Sequence, residues 1–351
     1  MLKSLIVHKD LKLIDALKRL DESALRYLLV LDKNSILVGS LSDGDVRRAI
    51  LSGADLNHDI SNFYMKDPIY LKKNSFNQSH AQELMTSKNL MYLPIVDESN
   101  KFVDIIKSES FNENKKTSSL PKNCTVAIMA GGIGSRLEPF TSILPKPLVP
   151  INGKPVIDHI IENFMGYGVK KFFISVKYKA RIMRAYFEEI ELERKIIFVE
   201  EEKPLGTAGG LSLLPKTISD PIFVTNCDVI LSMNYQECYD FHLNGKFSMT
   251  IVAAVKKYRI PYGSCELDSD GTLLKITEKP EYQHIVNTGF YVINPSALKL
   301  LPDGQHLDMD KFIQQIHSKG LKVGVFPVSD DSYHDVGEWH EYNNTIQSFD
   351  V

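Results

Sequence analysis

A regular alternation of short apolar runs and helical patterns after residue 124 constrains the fold more than any other feature. A short continuous apolar run is typical of a strand that is buried on both faces of a sheet. Because helical patterns fall between many of the runs, the sequence predicts an α/β domain with a mostly parallel sheet and helices on both faces. We expect its ligand site at the carboxyl ends of the strands. The runs are 125–130, 171–176, 196–200, 222–225, 249–255, 288–293 and 323–328, and the helical patterns are 155–167, 180–190, 206–214, 234–244 and 308–319.

The N-terminal third presents one order of elements twice, a helical segment followed by two short strands. The period of roughly 55 residues predicts two copies of a small α/β unit, at 1–57 and 58–112. Since neither copy can bury much core alone, the two should pack on each other. A polar stretch without apolar periodicity follows, and we interpret residues 113–123 as a linker before a second domain at 124–351.

Charge and cysteine content exclude several classes of protein. The 41 basic and 44 acidic side chains give a net charge of −3, which does not favour nucleic-acid binding. The four cysteines lie far apart without C-x-x-C spacing, so we expect neither a disulfide framework nor a structural zinc site. No signal peptide is evident, and no stretch approaches the roughly 18 apolar residues of a membrane helix. We therefore expect a cytoplasmic protein that binds neither nucleic acid nor membranes.

The first strand of the second domain leads into A-G-G-I-G-S-R-L at 130–137. Three glycines allow backbone N–H groups to turn toward a phosphate without obstruction by Cβ. Arg136 and Lys146 add positive charge, the arginine as a planar fork and the lysine as a point. The spacing matches neither the dinucleotide fingerprint G-x-G-x-x-G nor the P-loop. The alternative for either half alone is a tight turn with surface charges.

Residues 130–155 closely resemble the signature of the sugar-1-phosphate nucleotidyltransferases, G-G-x-G-[TS]-R-L-x-P-x-T-x-x-x-P-K-P. The resemblance covers 124–351, and further family motifs follow in the family's order. It implies a Rossmann-like nucleotidyltransferase sheet, and transfer of a nucleoside monophosphate from an NTP to a sugar 1-phosphate with release of pyrophosphate. The further motifs are Glu201–Gly210, Asn226–Asp228, Thr277–Pro280, Asn287–Gly289 and His334–Gly337.

The resemblance also implies roles for individual residues. The catalytic group is Arg136, Lys146, Asp228 and Lys279; the nucleotide-binding group is Ala130, Gly131, Gly132, Gly134, Ser135, Glu201, Gly206, Thr207 and Ala208; the sugar-phosphate group is Gly263, Glu278, Lys279 and Asn287. Asp228 ends an apolar strand, where a carboxylate suits a hard cation such as Mg²⁺. In the family Asp335 supplies the second carboxylate, so Asp228 and Asp335 are the expected metal ligands. The alternative for either aspartate alone is helix capping or turn formation.

Two observations concern the base of the nucleotide. The small residues of 206–210 are expected to allow close approach by a base or ribose. Glu201 carries only hydrogen-bond acceptors, and guanine offers a ring N–H beside an exocyclic amine. This pairing favours GTP over UTP or dTTP. The alternative is that Glu201 belongs to a solvated acidic run at 200–202.

The duplicated N-terminal unit resembles a tandem pair of cystathionine-β-synthase (CBS) modules, the Bateman arrangement. Residues 39–45 match the family pattern G-x-x-[ST]-x-x-D, in which the hydroxyl of Ser42 and the carboxylate of Asp45 would hold an adenine nucleotide. The second copy has Asp104, Lys107 and Ser110 instead, so we expect at most one such site per chain. The alternative is that the module only mediates assembly, and we expect a homo-oligomer.

A CBS pair joined to this catalytic domain resembles the guanylyltransferases that activate amino-sugar 1-phosphates for bacterial nonulosonic acids such as legionaminic acid. That resemblance implies GTP and glucosamine 1-phosphate as substrates, with Mg²⁺ as cofactor. Three alternatives stay open. They are another NTP (UTP, dTTP or CTP) with a sugar 1-phosphate, transfer to phosphocholine, and a non-catalytic nucleotide sensor.

Overall fold

The computed structural model describes residues 5–22, 27–73, 78–88, 90, 92–107, 119–189 and 194–349. The chain divides into two compact units, Met1–Thr117 and Ser118–Val351. Residues 113–118 of the expected linker lie outside the described residues. Leu120 is buried in the core of the second unit, and its N–H donates to the carbonyl of Tyr167. The second unit therefore starts before the expected residue 124, because an apolar side chain within the polar stretch packs into its core.

The N-terminal unit contains two small sheets, ordered β1-β2-β3-β4 and β5-β6-β7. Its elements are β1 (Ile6–His8), α1 (Leu13–Glu22), β2 (Tyr27–Leu31), β3 (Leu37–Ser42), α2 (Asp43–Leu51), β4 (Met65–Lys66), β5 (Leu71–Lys72), α3 (Gln78–Ser87), β6 (Tyr92–Val96) and β7 (Phe102–Lys107). In both sheets the first strand is parallel to the second, and the second is antiparallel to the third. Both antiparallel pairs also change register at the same place, after Val30 and after Ile95.

The spacing of the two copies corrects the expected period. The helices begin at residues 13 and 78, and the paired strands begin at 27 and 92 and at 37 and 102, an offset of 65 residues and not roughly 55. The expected boundary at 57/58 is also wrong. Strand β4 pairs with β3, and the N–H of Ile60 donates to the carbonyl of Leu11. Residues 58–66 therefore complete the first copy. The sequence pattern placed them in the second copy, because their contacts are with residues distant in sequence and leave no local signal.

The second unit is built on a seven-stranded sheet of order β12-β11-β8-β13-β18-β15-β19. Its strands are β8 (Thr125–Ala130), β9 (Pro150–Ile151), β10 (Lys154–Pro155), β11 (Lys171–Val176), β12 (Lys195–Glu200), β13 (Ile222–Asn226), β14 (Val229–Leu231), β15 (Met249–Arg259), β16 (Ser264–Leu267), β17 (Leu273–Thr277), β18 (Glu281–Ile293), β19 (Val323–Ser329) and β20 (Tyr333–Asp335). Its helices are α4 (Phe140–Ile143), α5 (Val156–Met165), α6 (Ala180–Glu188), α7 (Gly206–Gly209), α8 (Tyr235–Asn244), α9 (Pro295–Leu298), α10 (Met309–Ser318) and α11 (Trp339–Phe349). Only β18 runs antiparallel to its neighbours, so the expected mostly parallel sheet is confirmed.

Both faces of this sheet are covered by helices, as the continuous apolar runs predict. Consecutive strand residues point to opposite faces, and each face has its own core. Phe172, Phe223 and Phe290 pack with Phe164 of α5 on one face. The residues that follow them in their strands, such as Phe173, pack with Phe312 of α10 on the other. Among the described residues, no helix is both long enough and apolar enough to cross a membrane.

Candidate active site

The loop that follows β8 is held in place by contacts to the segment 141–146. Gly134 has a φ of +75°, a conformation that L side chains rarely adopt. A Cβ there would lie 3.0 Å from Cβ of Lys146 and 3.1 Å from Cγ2 of Thr141. The Thr141 hydroxyl donates to the carbonyl of Gly134 at 2.8 Å. By contrast, a Cβ on Gly132 would meet nothing within 4 Å, so this part of the loop is open.

A cleft of about 400 Å³ opens beside this loop at the carboxyl ends of β8 and β13. Ten of the residues singled out from the sequence line it: Gly131, Gly132, Gly134, Ser135, Arg136, Lys146, Glu201, Gly206, Thr207 and Asp228. Ala130 and Ala208 are buried beneath it in the two cores. Sequence reasoning therefore identified residues from three separate segments that the fold brings together.

The carboxylates of Asp228 and Asp335 are brought together by a short antiparallel ribbon. Strand β14 pairs with β20 so that Val229 lies opposite Asp335, and the N–H of Val336 donates to the carbonyl of Asp228 at 2.9 Å. A Cβ on Gly337 would lie 2.7 Å from Oδ2 of Asp228 and 2.9 Å from Oδ1 of Asp335. It would also lie 3.2 Å from Nζ of Lys146. Gly337 therefore leaves room for three charged groups to meet.

The electrostatics of this cluster follow from burial and close like charges. Burial and the neighbouring charge of Asp228 raise the pKa of Asp335. Burial opposes the charge on Lys146, but the carboxylates, led by Asp228, outweigh it and raise the pKa of the ammonium. Lys146 donates a short hydrogen bond to Asp228. The half-buried pair of carboxylates thus attracts cations, and Lys146 neutralises part of its charge.

These donors fit a hard divalent cation. Two carboxylates supply the oxygen ligands that Mg²⁺ prefers, and Mg²⁺ usually takes one or two of them plus substrate phosphates. Within the part of the chain that the structure describes, no group of three or more His, Cys, Asp or Glu side chains is arranged for a metal. The remaining ligands would therefore have to come from a phosphate substrate or from water.

Arg136 has a partner that the sequence did not indicate. Its guanidinium donates to the Glu338 carboxylate at 2.6 Å, and both side chains are exposed. The hydrogen bond to Glu338 raises the pKa of Arg136. Glu338 directly follows the motif His334–Gly337, and this position is the only feature of the sequence that could have pointed to Glu338. Segments from near the start and near the end of the second unit thus meet beside the cleft.

Glu201 is almost fully buried, at 6% exposure, so it does not belong to a solvated acidic run. The Ser175 hydroxyl donates a short hydrogen bond to Oε1, and the N–H of Leu205 donates to Oε2 at 3.1 Å. A Cβ on Gly131 or on Gly210 would lie within 2.8 Å of Oε1. Each carboxylate oxygen thus already accepts a hydrogen bond from the protein, which leaves one lone pair on each for a ligand.

Two glycines of the segment 206–210 allow close packing of another part of this chain. The close approach by a base or ribose that the sequence suggests for this segment stays a prediction. A Cβ on Gly206 would lie 2.6 Å from Oδ1 of Asp308, and one on Gly209 would lie 2.4 Å from the carbonyl of Gln305. The segment 305–308 therefore packs directly on α7. This packing brings His306 into the cleft, a residue that sequence reasoning missed because no motif surrounds it.

The expected sugar-phosphate residues lie outside the cleft lining. Gly263, Glu278 and Lys279 flank the hairpin β16–β17, and Asn287 lies on β18. Gly263 faces Glu278, since a Cβ there would lie 3.2 Å from Oε2 of that residue. Lys279 is exposed with a φ of +47°. Asn287 donates to the hydroxyl of Tyr291 at 2.8 Å. In the N-terminal unit, Ser42 and Asp45 form a capping box at the start of α2, a local structural role for both.

Comparisons with known proteins agree with this architecture. The nucleotidyl transferase family model matches residues 125–349, and the CBS domain model matches residues 1–52. A mannose-1-phosphate guanyltransferase of Debaryomyces hansenii is 39% identical over 183 residues, covering 50% of this chain and 51% of its own. Mannose-1-phosphate guanylyltransferase 1 of Arabidopsis thaliana is 32% identical over 225 residues, covering 61% and 62%.

Among solved structures, HddC from Yersinia pseudotuberculosis superposes with a TM-score of 0.51 at 26% identity. The match covers 64% of this chain and 99% of HddC. The chain spans only about half the length of the first of the curated relatives that it matches.

Proposed function

The chain belongs to the nucleotidyl transferase family, and we propose that it transfers the guanylyl group of GTP to a sugar 1-phosphate and releases pyrophosphate. The observation that carries the proposal is the meeting of Lys146, Asp228 and Asp335 around Gly337, beside an open glycine loop. Relatives named mannose-1-phosphate guanyltransferases support both the guanine base and the sugar 1-phosphate.

In the proposed reaction an oxygen of the sugar phosphate attacks the α-phosphorus of GTP in line. A new P–O bond forms as the bond to the β-phosphate oxygen breaks, and pyrophosphate leaves. The acceptor phosphate is already ionised, so no protein nucleophile is needed. The backbone N–H groups of the loop and Arg136 bind the triphosphate, and Lys146 offsets its charge. Catalysis is positioning and charge stabilisation.

Asp228 and Asp335 would hold Mg²⁺, which when bound offsets the negative charge of the phosphate oxygens. For the acceptor, we propose that Lys279 binds the sugar phosphate. Gly263, Glu278 and Asn287 would then contact the sugar. Glucosamine 1-phosphate, for bacterial nonulosonic acid or surface glycan synthesis, is the proposed acceptor.

A pyrophosphate-release screen of four NTPs against a panel of sugar 1-phosphates tests this function. We expect the highest kcat/KM with GTP, and with glucosamine 1-phosphate rather than mannose 1-phosphate. Turnover only with a pyrimidine triphosphate would show that GTP is not the nucleotide substrate. Turnover only with phosphocholine would show that the acceptor is not a sugar 1-phosphate. No pyrophosphate release with any pair at saturating Mg²⁺ would favour a non-catalytic sensor.

We predict that Glu201→Gln weakens the preference for GTP over UTP by about 1–3 kcal/mol, because one of the two groups facing guanine would no longer accept a hydrogen bond. The measurement is the ratio of kcat/KM for the two nucleotides. Ser175→Ala is the matched control, since it removes a donor to Glu201 but keeps the carboxylate. If both variants lower kcat/KM equally for all nucleotides, Glu201 stabilises the loop conformation and other residues recognise guanine.

Two further expectations stay predictions. We propose an adenine nucleotide at Ser42 and Asp45, supported by the CBS family match at residues 1–52. The alternative is that Ser42 and Asp45 serve only as the capping box of α2, which already engages both side chains. The cytoplasmic location expected from the sequence also stays a prediction.

A further inference from the structure

The loop that follows β8 gives the cleft two distinct ends. A Cβ on Gly131 would lie 2.8 Å from Oε1 of Glu201, whereas one on Gly134 would lie 3.0 Å from Cβ of Lys146. We call these the Glu201 end and the Lys146 end. Lys146 is hydrogen-bonded to Asp228, and the proposed reaction places the cation and the phosphates beside this pair. The base of a bound nucleotide therefore belongs at the Glu201 end.

His306 is tied to the Glu201 end by backbone hydrogen bonds. The N–H of Leu205 donates to Oε2 of Glu201 at 3.1 Å. The carbonyl of Leu205 accepts from the N–H of Leu307 at 2.8 Å, and the carbonyl of Leu307 accepts from the N–H of Gly209 at 2.9 Å. One residue, Leu205, thus holds both the Glu201 carboxylate and the neighbour of His306 in the chain.

The imidazole of His306 is a ring that the protein itself leaves largely uncovered. Its side chain is 59% exposed, and its Nε2 lies 3.9 Å from Oδ1 of Asp308. The same Oδ1 accepts from the N–H of Thr207 at 3.4 Å, so one edge of the ring lies beside α7. Among the described residues that line the cleft, His306 is the only aromatic one. An exposed aromatic ring beside a base site is a surface on which the base can stack.

We propose that the imidazole of His306 stacks on the guanine base and favours a purine over a pyrimidine nucleotide. The assignment rests on the proposed guanylyl transfer and gives the same site a second recognition element. Glu201 accepts hydrogen bonds at the edge of the base, whereas His306 covers its face. A purine has two fused rings and therefore buries more area on such a ring than a pyrimidine does.

Stacking on the base has a kinetic signature of its own. The base is remote from the α-phosphorus, so the contact is equally strong in the ground state and in the transition state. Loss of such uniform binding raises KM and leaves kcat unchanged. A merely structural role for His306 would instead disturb the packing on α7 and lower kcat or the melting temperature.

Isothermal titration calorimetry of the full-length protein with Mg²⁺ and no acceptor measures the contact directly. The ligands are GTP, UTP and inosine triphosphate (ITP), whose base has the fused rings of guanine without the exocyclic amine. We expect His306→Ala to raise Kd for GTP and ITP at least about fivefold, the lower bound for loss of one base stack, and Kd for UTP by less. His306→Phe keeps a ring and should retain most of the affinity. His317→Ala, an exposed histidine at the end of α10, is the control and should match the wild type.

Comparison with Glu201→Gln separates the two recognition elements. Glu201→Gln should reduce the preference for GTP over ITP, since the exocyclic amine lies at the edge of the base. His306→Ala should leave that preference unchanged and should keep the wild-type kcat for pyrophosphate release. An unchanged Kd for GTP in His306→Ala, or a His306→Phe variant as weak as His306→Ala, would overturn the stacking while leaving the proposed guanylyl transfer intact. A wild type that binds no GTP would overturn the proposed function and the stacking together.

Discussion

Asp228→Asn and Asp335→Asn should each lower the rate of pyrophosphate release by at least roughly 100-fold at saturating Mg²⁺. Each change removes one negative charge from the site proposed to hold the cation, and losses of this size are typical when charge stabilisation is removed. Circular dichroism should show an unchanged fold, because the amide occupies nearly the same volume as the carboxylate.

The matched control is Asp303→Asn, which makes the same substitution in an exposed ion pair with Lys216. It should leave turnover within a factor of about two, since exposed ion pairs contribute little. Near-normal rates in both Asp228→Asn and Asp335→Asn would show that these carboxylates do not hold a catalytic metal.

Gly337→Ala should lower turnover to a similar extent, by about 100-fold, without removing any charged group. The added methyl would lie 2.7 Å from Oδ2 of Asp228 and 2.9 Å from Oδ1 of Asp335, closer than real Cβ contacts come. The carboxylates must therefore move apart, and a displacement of about 1 Å at a catalytic group can cost 100-fold. The measurement is kcat for pyrophosphate release, together with the Mg²⁺ concentration that gives half-maximal rate.

Gly166→Ala is the control for this substitution. Gly166 has a helical φ of −57°, and its added Cβ would make an ordinary contact of 3.4 Å with the carbonyl of Asn163. It should keep wild-type turnover. An active Gly337→Ala enzyme with an unchanged Mg²⁺ requirement would mean that the positions of the two carboxylates are not critical.

Local pattern was enough to predict most of the catalytic unit's architecture. The apolar runs marked β8, β11 and β13, and their continuous character indicated burial on both faces, because a half-exposed strand would alternate. The glycine loop and Asp228 follow directly from strands, so their place at the edge of the sheet was predictable. The alternating residues 272–277 predicted strand β17, but β16 and the full length of β18 were not predicted, because their exposed parts lack a buried apolar run.

The repeat in the N-terminal unit also combines features that local sequence predicts with features that it does not. The order of elements was readable, but the period was underestimated because β4 joins the first sheet by pairing with β3. Such pairing depends on which strand edge is free after folding. Neither the composition nor the periodicity of 58–66 contains that information.

By itself, the sequence determined the fold class, the glycine loop, and the residue types available for phosphate and metal chemistry. The tertiary structure alone decided which of them meet. Asp335 lies beside Asp228 because β14 pairs with β20, and Glu201 is held by Ser175 from the neighbouring strand. His306 reaches the cleft because Gly206 and Gly209 let its segment pack on α7. Periodicity and turn preference are local properties of a chain, whereas these contacts depend on the register and packing of segments that are distant in sequence.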